Sequence, residues 1–326
     1  MNPDSAGNEV LFRSLNHPVL HFLGQCLNYP AANLGLLEKR LNRTKRRKGF
    51  QISDTKAKTE YNWNGEKLSY GVRFQKALFD ECQREKKDAF KVALYIITYA
   101  NEHGGIYADR DSLFIPYRDM VRAGLAVRTD KMKRAMEGED GSRKGIAEAL
   151  ESIEVSYIDK RHSKKGKALP WSALFHQIYP TRGGIKITLG AWAADPMNAF
   201  FFTLLPDRVF ALDRRAFALA EFISFTARQN IPKLKQDGSY TISREAIALT
   251  LALPDEARDI KNRNTGRTAK YISQALTDIN GLAGMSITEE AGKYRVRLSG
   301  RLLESVLESV EETEKSIQKK QTKIYK

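Results

Sequence analysis

From Asp213 onward, apolar residues recur at helical spacing through three successive segments and then switch to strict alternation. Few architectures accommodate that change of period. In "DRRAFALAEFISFTARQN", Asp213 caps a helix that buries Phe217, Leu219, Ala220, Phe222, Ile223 and Ala227. "KLKQDGSYTIS" turns at Asp237 and Gly238 into a short extended segment, and "SREAIALTLALP" starts a second helix near Ser243 that stops before Pro254. A third helix follows in "GRTAKYISQALTDINGL". With Thr268 in its first turn, Ala269, Ile272, Ala275, Leu276 and Ile279 form the expected buried stripe. Arg267, Lys270, Tyr271, Gln274 and Asp278 are left on or near the outer face, and Gly281 and Gly284 close the helix. "MSITEEAGKYRVRLS" then alternates about a turn at Ala291–Gly292. Tyr294, Val296 and Leu298 point one way, and Lys293, Arg295 and Arg297 the other.

Three helices followed by a strand pair is the order of a winged helix-turn-helix. The outer face of the third helix offers long donors and an amide, which suits phosphates and base edges in a major groove. Arg267, Lys270, Tyr271 and Gln274 are the base-reading candidates. Lys261 and Arg263 in the preceding loop, with Lys293, Arg295 and Arg297 on the wing, are phosphate candidates. A formal net charge of +15 favours a polyanionic partner by long-range attraction. A solvated polar face, an RNA or a protein partner is compatible with the same pattern, and no residue specifies a DNA sequence.

A weaker copy of the plan runs upstream, over residues 74–190. A long helix is expected from near Asp80, carrying Phe90, Leu94, Ile97 and Tyr99. A second occupies "PYRDMVRAGLA", with Pro116 in its first turn, and a third starts from about Ser142 with Ile146, Ala149, Leu150 and Ile153 on one face. Alternation at Val155, Tyr157 and Asp159 opens an unusually long wing that continues through "WSALFHQIYP" and "GGIKITLG". Arg143 and Lys144, with the loop residues Lys160, Arg161, Lys164, Lys165 and Lys167, are its phosphate candidates. Residues 1–73 read as an N-terminal extension. Its basic block, Arg43, Lys45, Arg46, Arg47 and Lys48, suits either a phosphate-tracking arm or a flexible solvated one. Residues 191–212 read as a packed interdomain connection, 213–300 as the second winged domain, and 301–326 as a C-terminal helix with a basic tail that packs back or mediates association.

The expected fold is therefore α+β: two tandem winged-helix domains with a basic N-terminal extension. In "LPDRVFALDRRAFALAEFISF", "YTISREAIALTLAL" and "GRTAKYISQALTDINGL" leading to "ITEEAGKYRVRL", the chain resembles plasmid replication initiator proteins of the Rep type. That resemblance implies binding of double-stranded DNA at repeated origin sites, with helix three of the second domain reading bases and the first domain adding backbone contacts. It also implies origin opening, self-association and contact with host replication proteins. A phage or plasmid transcriptional regulator is the alternative, with a nucleic-acid-processing enzyme after it.

Enzyme chemistry finds little footing. No "GxxxxGK[ST]" loop is present, and His17, His21, His103, His162 and His176 do not combine with Cys26 and Cys82 at metal-ligand spacing. Asp109 and Asp111 in "YADRD" lack a further acidic cluster, and no activating base is placed beside Tyr99, Tyr107 or Tyr117. No catalytic residue, metal or cofactor is expected. The two cysteines favour a reducing compartment, and no export signal or run of 18 apolar residues is seen, so a cytoplasmic location without membrane association is expected.

Overall fold

Backbone pairing carries the N-terminal segment into the C-terminal half of the chain. In the computed structural model, β1 (Leu11–Leu15) runs antiparallel to Phe202–Pro206, with Leu11 opposite Pro206 and Leu15 opposite Phe202. The chain accordingly divides into a unit of His17–Asn198 and a unit of Met1–Asn16 with Ala199–Lys326. The structure describes residues 11–15, 18–29, 34–42, 47–63, 66–84, 87–103, 112–138, 145–159, 171–190, 202–206, 208–253 and 265–308.

The first unit opens with α1 (Pro18–Asn28) and α2 (Leu34–Asn42), followed by β2 (Arg47–Ile52), β3 (Lys56–Trp63) and β4 (Glu66–Arg73). Next come α3 (Lys76–Arg84), α4 (Ala89–Glu102), β5 (Leu113–Pro116), α5 (Tyr117–Arg122), α6 (Thr129–Glu137) and α7 (Ile146–Glu151). β6 (Glu154–Asp159), β7 (Ser172–Ala173), β8 (Phe175–Pro180) and β9 (Gly184–Leu189) complete it. These strands make two antiparallel sheets, ordered β2-β3-β4-β6-β7 and β5-β9-β8. Pro18 sits at the first helical position of α1, where its missing N–H is no loss. Every residue from Val19 to Tyr29 is buried. The last turn of α1 is held by the fully buried Lys76, whose Nζ donates to the Leu27 carbonyl at 3.1 Å and to Asp80 at 2.6 Å. A cation at a helix C-terminus meets the negative end of its dipole.

Three expectations change here. Residues 47–73 are not an appended extension, because β4 pairs with β6 along its length, from Leu68 opposite Asp159 to Arg73 opposite Glu154. Arg73 and Glu154 also form an ion pair across 81 positions of sequence, a separation no local pattern reveals. Consequently β6 does not begin the wing; β9 pairs with β5 on one side and with β8 on the other. The long helix expected from Asp80 is two helices, since Asp88 accepts the Lys91 amide at 3.0 Å and starts α4 anew.

The second unit contains β10 (Phe202–Pro206), a 3-10 turn at Val209–Ala211, α8 (Arg214–Ala227), a second 3-10 turn at Arg228–Asn230 and α9 (Ile231–Asp237). There follow β11 (Ser239–Ser243), α10 (Arg244–Thr250), α11 (Thr265–Asn280), β12 (Met285–Glu290), β13 (Lys293–Leu298) and a helix α12 (300–308). Asp213 caps α8 by accepting from the Ala216 amide at 2.7 Å, and Ser243 caps α10 through the Ala246 amide at 3.1 Å. α9, a helix not expected from the sequence, runs into the turn expected at Asp237 and Gly238, where Gly238 has φ 68°. The hairpin turn falls at Ala291 and Gly292, with φ 47° and 75°, the left-handed pair that matches strand twist.

Phe217, Leu219, Ile223, Ile247, Ile272, Ile279, Tyr294 and Val296 form the buried centre of this unit. Within it the Tyr240 hydroxyl donates to the Ile223 carbonyl at 2.7 Å, and burial pushes its pKa well above the ordinary phenol value. Leu302 and Val306 of α12 are buried, with Leu302 against Gly284. The sheet order β11-β13-β12 repeats the order β5-β9-β8 of the first unit. This mixed α+β architecture of small sheets and helices is consistent with a winged-helix-like fold.

Candidate nucleic-acid interface

Helix α11 is anchored on one side only. Thr268, Ile272, Ala275 and Ile279 are buried at spacings of four, three and four, one continuous stripe at 3.6 residues per turn. Ala269 was expected in that stripe and is exposed, because it lies about 100° around the helix from Thr268. Leu276 is half-buried. Lys270, Ser273, Gln274 and Thr277 are exposed on the opposite side. Lys270 and Gln274 are thus on the exposed side, and the same wheel adds Ser273 and Thr277, which the spacing argument had not named.

Tyr271 occupies the flank rather than the outer face. It is half-buried, and the Arg215 guanidinium of α8 lies 3.8 Å from its ring centroid. Arg215 Nε is itself buried without a hydrogen-bond partner among the described residues. The ring is therefore part of the α8–α11 contact. Gln274 Nε2 donates to Asp278 at 3.0 Å, so its amide is oriented along the helix. At the helix end Asn280 closes onto β12: Nδ2 donates to the Ile287 carbonyl at 3.1 Å, and Oδ1 accepts the Ile287 amide at 2.7 Å. This pair fixes α11 to the sheet and occupies backbone groups of Ile287.

The wing departs from its expected charge. Tyr294, Val296 and Leu298 are buried, and Lys293 and Arg297 are exposed as the alternation requires. Arg295, however, donates from Nε to Glu290 at 2.7 Å and lies 3.8 Å from Asp237. Hydrogen bonding to Glu290, and then the charge of that carboxylate, raise its pKa further. The Asp237 carboxyl is held below its ordinary range first by the Ser239 backbone amide and side chain, with Arg295 and Arg297 adding to the effect. Arg244 similarly meets Glu289 at 3.4 Å and the Tyr294 hydroxyl at 3.2 Å. Sequence alternation gave the side of the sheet correctly, but not the acidic partners on β12 and α9 that oppose Arg295.

Lys261, Arg263, Arg143, Lys144, Lys160, Arg161, Lys164, Lys165, Lys167, Arg43, Lys45 and Arg46 lie outside the described residues. Arg47 and Lys48 belong to β2, and Arg267 to the first turn of α11, with their side chains outside the description. In the first unit the structure instead brings forward α5 and α6. Met132 and Met136 anchor α6, whereas Lys131 and Arg134 are exposed. Arg118, Arg122 and Arg128 also project, with Asp119 and Asp130 beside them. The signal for this helix was the four-residue spacing of Met132 and Met136 inside "RTDKMKRAMEGED".

Among the described residues, no group of three or more His, Cys, Asp or Glu side chains is arranged to hold a metal ion. Cys26 and Cys82 are free and buried. None of the described helices is long and apolar enough to cross a membrane.

No protein-family model matches the sequence, and no curated protein does. Among solved structures, a crystal structure of domains 2 and 3 of RctB is similar at a TM-score of 0.42 and 12% identity, over 83% of this chain and 99% of that chain.

Proposed function

We propose that the chain binds double-stranded DNA through α11 of its second unit, as one of two tandem winged-helix domains, and that it acts in initiation of plasmid replication. The supporting observation is the division of α11 into a buried stripe and an opposite face of Lys270, Ser273, Gln274 and Thr277. A helix held from behind and carrying an ammonium, an amide and two hydroxyls outward has the shape and the donors to enter a major groove. Lys293 and Arg297 supply phosphate contacts from the wing beside it. The shared sheet order of the two units supports the tandem reading, with α6 as the corresponding helix of the first domain and its Lys131 and Arg134 as contacts. Replication initiation rests on the resemblance to Rep-type initiators, with repeated origin sites as the duplex partner and self-association and host replication proteins as further partners.

Selection of bound duplexes from a random pool, followed by titration, tests this reading. Lys270→Ala and Gln274→Ala should each weaken the selected site by about 1–3 kcal/mol and relax its sequence, whereas Arg297→Ala should weaken all duplexes alike. Full, sequence-selective binding by both α11 variants would overturn the assignment of that helix. Recovery of repeated origin elements supports replication, and recovery of scattered promoter elements supports transcriptional regulation.

A further inference from the structure

The sheet β5-β9-β8 presents a row of three side chains on its outer face. Phe114 of β5 is directly opposite Lys186 of β9, and Lys186 is directly opposite Tyr179 of β8. The other face packs into the core through Ile115, Ile185, Ile187 and Ile178. Phe114 and Tyr179 nevertheless remain 46% and 53% exposed, so two large rings flank a cation in solvent. The Phe114 ring lies against Gly184, where a Cβ would come within 2.8 Å of its Cζ and 2.2 Å of the Ile115 carbonyl oxygen. Glycine at that position leaves the ring its place.

Charge on this sheet is one-sided. β5, β8 and β9 carry no carboxylate, whereas Lys186 and the turn residue Arg182 are exposed cations. Among the described residues, the one carboxylate bonded to the backbone of these strands is that of Glu151, which accepts the Ile178 amide of β8 at 2.6 Å. The hairpin of the second unit differs, since Glu289 and Glu290 engage Arg244 and Arg295 there.

We infer that this face binds single-stranded DNA, with unpaired bases stacking on Phe114 and Tyr179 and the connecting phosphates over Lys186. Aromatic faces between cations take any exposed base, because every base has a π-face and the backbone supplies the charge. Paired bases within a duplex are already stacked and offer these rings nothing. The two rings stand two strand spacings apart, about 10 Å, with the ammonium between them. The platform shares no residue with α11; only the choice of DNA over RNA rests on the duplex reading above.

The test uses the full chain and a labelled oligodeoxythymidylate, its RNA counterpart and a duplex, each followed by fluorescence anisotropy. The double variant Phe114→Leu and Tyr179→Leu should weaken the single strand about tenfold or more and leave the duplex within about twofold. Lys186→Gln should weaken the single strand and flatten its salt dependence, while Tyr179→Phe, which keeps the ring, should bind like the parent. Unchanged single-strand affinity in the double variant, a parallel loss on duplex, no binding by the parent chain, or tighter binding to RNA would each overturn the inference. So would sedimentation showing that the double variant loses only self-association. Lys270→Ala should lower duplex affinity and spare the single strand. A chain that binds the single strand but no duplex would therefore refute the α11 reading and keep the platform.

Discussion

Tyr271 illustrates how one residue can be placed near an interface without being available to it. Its ring is held 3.8 Å from the Arg215 guanidinium, which ties α11 to the start of α8. A partly buried cation–π contact of this kind contributes about 0.5–2 kcal/mol, and truncating the ring also removes apolar burial. Tyr271→Ala should thus lower the urea midpoint and duplex affinity together, whereas Lys270→Ala should lower affinity alone. Equal stability of the two variants would return Tyr271 to the outer face. The local sequence could not resolve this, since helical spacing gives an angle and not the neighbour that fills it. The same holds for Thr268, a buried polar residue where an apolar alanine one position along looked the better core candidate.

At the scale of elements, several features decided within a few residues were legible, although the Asp88 cap and α9 were not. The Asp213 and Ser243 caps, the Ala291–Gly292 turn and the inward alternation of Tyr294, Val296 and Leu298 rest on contacts between near neighbours in sequence. What was not legible is the wing's internal pairing, which joins Arg295 to Glu290 across the hairpin and to Asp237 at the end of α9. Both partners are about half exposed, so these pairs add little stability, but they compete with phosphate for the guanidinium. Glu290→Gln should tighten duplex binding and steepen the log–log salt slope by up to about one unit, which titrations at several salt concentrations would reveal. No change would mean that Arg295 does not face the duplex. Acid provides a second test of the same cluster. The folded-state pKa of Asp237 is depressed, so its contribution is complete above the ordinary value of 3.8 and is lost as pH falls below it toward the folded value. The difference in urea midpoint between the parent and Asp237→Asn should therefore persist at neutral pH and shrink in strong acid.

Across the whole molecule, the parts that escaped the sequence reading are those whose partners are remote along the chain. β2, β3 and β4 have ordinary strand composition, yet their place is set by β6, and an observer of residues 47–73 alone sees only an amphipathic, basic segment. The second unit has the same property at its N-terminal strand: β1 pairs with β10 although the whole first unit lies between them in sequence. Removing residues 1–16 would leave β10 without its five-residue partner, exposing unpaired backbone donors and acceptors along Phe202–Pro206. The caps and most of the buried residues of α8, α10, α11 and the β11-β13-β12 sheet lie from Asp213 onward, while Leu205, Val209 and Phe210 add to that core from before it, Phe210 against Phe217. The truncated chain should consequently keep its helical circular dichroism and its Lys270-dependent duplex binding, but show a lower thermal midpoint and a greater tendency to aggregate at low salt. Hydrogen exchange localises the effect: amides of β10 should lose protection while those of β13 retain it. Loss of protection throughout β13 would show instead that the N-terminal strand is required for the entire second unit to fold.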